Sequence, residues 1–202
     1  MIDAVFDISH HQHKPDFNRA KLDGNQYGVI HKATQGTSYQ DPTFKPRIPF
    51  IRDSGLRLGA YHFLTSTQPI QQADFFLDVA GNARLLVVDW ESSNGKLPSV
   101  AILSEFVRFV QAQGLTLGLY AGQADLIQHF EEFDDAIQKC WLWVARYGKM
   151  PDIPLGKWHT WTMWQWTDGM HNHPQPIKGI GYCDRDKFNG TLDNLKALWG
   201  QT

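Results

Sequence analysis

The chain has 202 residues, a formal net charge of −2, 42% apolar and 20% charged residues. These values describe an ordinary globular protein able to bury one substantial core, and they exclude extensive disorder. No dense Lys/Arg run offers a footprint for nucleic acid, and no apolar stretch approaches the roughly 20 residues of a membrane span, so neither partner is expected.

The first residues, Met1 to Asp7, carry no basic n-region and read as a strand, Ala4 to Ile8, not as a secretory leader. A second strand, Tyr27 to Ala33, is followed by a helix over Thr43 to Ser54 and a strand over Arg57 to Phe63. A helix over Ile70 to Val79 then leads to the strand Leu85 to Trp90. Pro98 to Gln113 places Val100, Leu103, Phe106, Val107 and Val110 at helical spacing and stops at Gly114. The pattern continues with a strand over Leu115 to Tyr120 and a helix over Ala124 to Phe133. After Cys140 the strands Trp141 to Ala145, Thr160 to Trp166 and Tyr182 to Lys187 are separated by segments rich in Gly, Pro, His and Asn. A final helix, Thr191 to Trp199, is capped by Thr191.

Strands alternating with helices imply an α/β fold with parallel strands, and eight of them suggest a TIM-like barrel. A full helical ring takes about 250 residues, so this length suits a barrel whose last helices are missing. No linker or repeat divides residues 1–202, which are expected to form a single domain. Cys140 and Cys183, the only cysteines, are too few for a disulfide framework and are expected to be free thiols.

In a parallel barrel the site forms at the C-terminal ends of the strands. The apolar run Leu85 to Val88 ends in Asp89-Trp90-Glu91. Alternate residues of a strand share a face, so Asp89 and Glu91 project together. Alone, such a pair is more often two solvated acids than a catalytic dyad. Asp7 follows Val5-Phe6, however, and Asp184 stands early in the last strand; if the first and eighth strands are neighbours, these two lie across the mouth from the pair. Converging acids are what glycoside hydrolysis requires, one to protonate the leaving oxygen and another to act as nucleophile, base or charge stabiliser. Crowding raises the pKa of one member, and Glu91 is assigned as the acid. Aromatic residues, 13% of the chain, suit stacking on sugar faces as well as core packing.

Several segments then match in order. Phe6-Asp7-Ile8-Ser9-His10-His11, Val29 to Gly36, Gly59-Ala60-Tyr61-His62-Phe63, Asp89-Trp90-Glu91, Gly118-Leu119-Tyr120, Leu142 to Tyr147, Trp164-Gln165-Trp166-Thr167 and Asp184 with Phe188-Asn189-Gly190 together resemble glycoside hydrolase family 25, the Chalaropsis-type lysozymes. The resemblance implies a (β/α)5(β)3 barrel, that is, eight strands with an incomplete helical ring, and cleavage of the β-1,4 bond between N-acetylmuramic acid and N-acetylglucosamine in peptidoglycan. It makes Glu91 the general acid, with Asp89, Asp7 and Asp184 around the sugar at the cleavage point. Tyr61, Phe63, Tyr120, Trp143, Tyr147 and Gln165 become groove residues. It implies no metal or organic cofactor; a separate wall-binding module, which many relatives carry, is not expected in this chain, and a monomer is expected. Asp186 departs from the Asn of the family pattern and adds charge near Asp184.

Spacing along a strand does not choose between retention and inversion. Attack by the substrate's own 2-acetamido group is preferred, with Asp89 or Asp184 orienting it. Two rivals are a catalytically silent carbohydrate-binding barrel and a chitin-type endoglycosidase. The histidines His10, His11 and His13, and again His171 with His173, lack the spacing of a zinc site. Without a leader, the protein would reach the wall as a phage endolysin released on lysis or as an effector delivered by a secretion system.

Overall fold

The computed structural model describes residues 1–154, 156–170 and 175–200; His171 and His173 lie outside them. In chain order the elements are β1 (Ile2–Ile8), α1 (Phe17–Leu22), β2 (Gly28–Gln35), β3 (Tyr39–Gln40), α2 (Phe44–Asp53), β4 (Arg57–Phe63), α3 (Pro69–Ala80), β5 (Leu85–Asp89), α4 (Val100–Ala112), β6 (Leu117–Gly122), α5 (Gln123–Gln128), β7 (Trp141–Ala145), β8 (Met163–Thr167), β9 (Asp184–Phe188) and α6 (Leu192–Leu198). The order β1-β9-β8-β7-β6-β5-β4-β2, closed by β1 pairing with β2, is an eight-stranded barrel; β3 is a short hairpin partner of β2 outside the ring. A helix follows each of the first five barrel strands, none follows β7 or β8 among the described residues, and α6 closes the chain after β9; this is the (β/α)5(β)3 arrangement.

One expectation is overturned. β9 runs antiparallel to both β1 and β8, pairing Asp7 with Asp184, Val5 with Asp186 and Ile2 with Phe188. Reversal places the polar start of β9 at the mouth and apolar Phe188 in the base. A parallel β9 would sink its acids among Val5, Met163 and Leu85, where burying charge is costly. The sequence reading also omits α1, whose six residues are too short to show a helical period.

Alternation sorts the core into two layers. Inward Val5, Ile30, Leu85, Val87, Met163 and Phe188 fill the base of the barrel, and Trp199 plugs it from below, edge-on to Tyr27 at 5.8 Å. A Cβ on Gly28 would lie 2.8 Å from the Trp199 ring, so the plug needs glycine there. Outward Ala60, Leu86, Val88 and Leu119 are covered by α3 and α4, whose Phe76, Leu103, Phe106 and Val107 are fully buried. Ser99 caps α4 through the Ile102 N–H, and Thr191 caps α6 in a reciprocal box with Asn194. On the side without helices, Trp161, Trp164 and Trp166 pack outside the barrel, with the Lys187 ammonium 4.2 Å from the Trp166 ring centroid. All three are therefore packing residues. Cys140 and Cys183 are both buried free thiols.

Candidate active site

Reading inward positions around the ring gives Asp7 from β1, Lys32 from β2, Tyr61 from β4, Asp89 from β5, Tyr120 from β6, Trp143 from β7, Gln165 from β8 and Asp184 from β9. Asp7, Tyr61, Asp89, Glu91, Tyr120, Trp143, Tyr147, Gln165 and Asp184 line one cavity of about 160 Å³. A second cavity of about 240 Å³ shares Tyr61, Asp89, Glu91 and Asp184 with it and extends past Lys32, Phe63 and the loop residues Ser9, His11 and Gln12. Every site residue named from the sequence thus faces one continuous groove, Phe63 in its second part.

The Asp89-Trp90-Glu91 segment keeps strand alternation one step beyond β5. The Trp90 N–H donates to the Tyr120 carbonyl at 2.9 Å, and the Trp90 ring points away from the mouth, fully buried against Phe133 with its indole N–H on the Pro98 carbonyl at 2.8 Å. Anchoring Trp90 outward leaves Asp89 and Glu91 no choice but the inner side. Asp89 is 5% exposed and its Oδ1 accepts no hydrogen bond from any described residue. Across the mouth, the Tyr120 hydroxyl donates to Gln165 Oε1 at 2.8 Å, and Gln165 Nε2 donates to Asp7 Oδ2 at 2.9 Å. Trp143, buried beneath, donates its indole N–H to Asp186 Oδ1 at 2.9 Å.

Burial dominates the acid–base character of the site. It pushes the Asp7 carboxyl well above the ordinary range, aided by the Asp184 charge, and does the same to Asp89, aided by Glu91 and opposed by Lys32. Glu91 is raised by burial, with Lys32 opposing. Asp184 is pushed up to about 7 by burial and by Asp168 and Glu91. Lys32 is the counter-charge of the groove; burial lowers its pKa while Asp89, Asp41 and Glu91 pull it back up. Its ammonium lies 4.8 Å from the Phe63 ring centroid and donates to Gln35 Oε1 at 2.7 Å.

A raised carboxylate weakens the fold once it ionises. The unfolded chain releases the Asp184 proton near 3.8 and the folded chain near 7, so the cost grows as pH rises between these values and is absent below them. Asp184→Asn is therefore expected to raise the melting temperature at pH 8 and leave it nearly unchanged at pH 4, with a ceiling of about 4 kcal/mol. Thermal unfolding at both pH values tests this; parallel curves for the two proteins would refute it.

Lys32 and the loop after β1 are the site components that sequence reasoning missed. Lys32 alternates with Ile30 on an inward face, so its position was readable from the strand period. The loop is held by distant partners: the Arg47 guanidinium donates to the Ser9 carbonyl at 2.9 Å and to the Gln12 carbonyl, and Asp41 accepts the His10 N–H at 2.9 Å. No local pattern reports such contacts. His10, proposed within a histidine cluster, is engaged with Asp41 and packs against His11, ring centroids 4.0 Å apart and planes tilted by 37°.

Comparison with known proteins places this geometry. Residues 6–173 match the profile of the Glycosyl hydrolases family 25. Lysozyme M1 from Streptomyces globisporus is 27% identical over 222 aligned positions, spanning 97% of this chain and 71% of that protein. Among solved structures, the bacterial lysozyme from Streptomyces coelicolor superposes with a TM-score of 0.84 at 26% identity, covering 98% of each chain. The muramidase from Trichobolus zukalii gives 0.81 at 31% identity, again over 98% of each chain. With residues 6–173 matched by the family profile and the barrel shared with solved lysozymes, the chain belongs to glycosyl hydrolases family 25.

Proposed function

We propose that the protein is a peptidoglycan N-acetylmuramidase, cleaving the β-1,4 bond between N-acetylmuramic acid and N-acetylglucosamine with Glu91 as general acid. The observation that carries the assignment is the outward anchoring of Trp90, which turns Asp89 and Glu91 together into a groove already holding Asp7 and Asp184. Glu91 is the less buried of the pair, and burial raises its pKa as it does those of Asp7, Asp89 and Asp184, so the groove keeps a proton available for a leaving oxygen. Asp89, with a buried oxygen open to a new donor, accepts the N–H of the 2-acetamido group and aims its carbonyl oxygen at the anomeric carbon. Asp7 and Asp184 face the same groove, where the carboxylate that the cluster leaves ionised supplies negative charge to the oxocarbenium-like transition state. Tyr61, Tyr120 and Trp143 form the floor beneath the sugar, and Phe63 and Tyr147 its sides. The names of the relatives, lysozyme and muramidase, support this substrate. The protein acts as a monomer on wall glycan, delivered as an endolysin or by a secretion system.

Digestion of purified peptidoglycan followed by reducing-end analysis tests the bond assignment. New reducing-end muramic acid is the expected product; reducing-end glucosamine would overturn it.

The pH profile is expected to be bell-shaped with an acidic to near-neutral optimum. Activity is lost on the alkaline side as Glu91 gives up its proton through a raised pKa, and on the acid side as the last carboxylate anion of the cluster is neutralised. A rate that stays flat from about pH 4 to 9 would contradict this division of roles.

A further inference from the structure

Asp186 is a buried ionisable side chain with no part in the chemistry above. It sits inward on β9, fully sealed from solvent, with its Cα opposite Val5 and Gln165. Its Oδ1 accepts the Trp143 indole N–H at 2.9 Å. Its Oδ2 is buried and receives no N–H from a described residue, and the Asp186 side chain is within hydrogen-bonding reach of the Asp7 carboxyl. The charged groups facing it are Asp7 and Asp3 from β1 and Asp184 from β9, while β7 and β8 present the neutral Trp143 and Gln165. The cations of its own strand lie elsewhere: Arg185 pairs with Asp3 at 2.9 Å and Lys187 covers the outer face of Trp166.

Two carboxylate anions cannot share such a contact without a counter-charge, whereas one proton converts the repulsion into a hydrogen bond. The donor count decides which partner keeps it. Asp7 also receives the Gln165 amide N–H, so negative charge is better solvated on Asp7 than on Asp186.

We propose that Asp186 is held as the neutral carboxylic acid throughout the working range, donating its Oδ2 proton to Asp7 while accepting from Trp143, and so acts as a positioning residue for both. Burial and the charges of Asp7 and Asp184 push the Asp186 carboxyl in the direction this requires. One wedge then fixes the carboxylate on one side of the mouth and the indole of the groove floor without adding to the charge of the cluster. The positioning role rests on the functional reading above; the protonation state does not.

Two experiments separate them. In protein carrying 13C-labelled aspartate, one side-chain carbon is expected to show the shift of a protonated carboxyl, to hold it from about pH 5 to 8, and to be absent from the Asp186→Asn variant. A carboxylate shift for that carbon, or titration within the range, would overturn the proposal whether or not the protein cleaves glycan. On peptidoglycan, Asp186→Leu is expected to lose at least about tenfold in kcat, and Asp186→Asn, which can donate to Asp7 and accept from Trp143, to recover most of that loss at an unmoved pH optimum. An optimum displaced to lower pH by Asn would mean that a charge had been removed, and Leu matching Asn would refute positioning. Should the Leu variant not fold, the carbon spectrum and the Asn profile still decide. Absence of cleavage by the unaltered protein would count against the muramidase reading alone.

Discussion

Glu91→Gln is expected to lower kcat for peptidoglycan cleavage by about 10² to 10⁴-fold, the usual contribution of a positioned proton donor, with little change in KM. Gln preserves the shape and hydrogen bonding of the side chain and removes only the acidic proton. It also removes a carboxyl whose ionisation burial opposes, so the variant should be at least as stable as the parent near neutral pH. Loss of rate without loss of stability is thus the specific signature. The leaving group supplies an internal control. An aryl glycoside whose phenolate departs without protonation should recover much of the lost rate in Glu91→Gln, because the missing proton is no longer needed. Residual cleavage of peptidoglycan within tenfold of the parent, or equal losses on both substrates, would remove Glu91 from the role of acid.

Asp89→Asn should lose about 10² to 10³-fold, as when one preorganised group at a developing charge is removed, and the aryl glycoside should not restore it. Asp89 is assigned to the acetamido group, so it assists the attacking side of the displacement that expels the leaving group, and a less basic leaving group does not replace it. The same assignment fixes stereochemistry. Attack by the acetamido oxygen inverts the anomeric carbon once and water inverts it again, so the first-formed hemiacetal retains the β configuration. Proton NMR of the fresh digest reads this directly, and an α product would exclude neighbouring-group attack. Wall glycan stripped of its N-acetyl groups should be cleaved far more slowly, since the internal nucleophile and the partner of Asp89 Oδ1 are both absent.

Strand positions were legible because apolar alternation is strong: Arg57–Phe63 and Trp141–Ala145 match their predicted bounds, and the acids at the ends of β1 and β5 follow from them. Strand direction was not. A period of two looks the same from either end, and only pairing partners reveal that β9 is reversed. Asp184 stands at the beginning of its strand, which a parallel direction would put at the base of the barrel, and reversal brings it into register with Asp7. The rim loop was opaque for a different reason. Arg47 reaches Ser9 and Gln12 from α2, and contacts between residues so far apart in sequence leave no trace in local periodicity.

Reversal of β9 also constrains how the groove can be altered by grafting or exchange of loops. A rim segment such as the one after β1 hangs from a single strand end and runs away into a helix, so its length can change while its anchor stays put. Between β8 and β9 the case differs, because β8 ends at the mouth and β9 begins there. Both strand ends are therefore part of the groove, with Gln165 near the end of β8 and Asp184 opening β9. A transplanted segment there must match the distance between two fixed posts, and a poor match would pull the Gln165–Asp7 hydrogen bond and the Asp184 carboxyl out of place together.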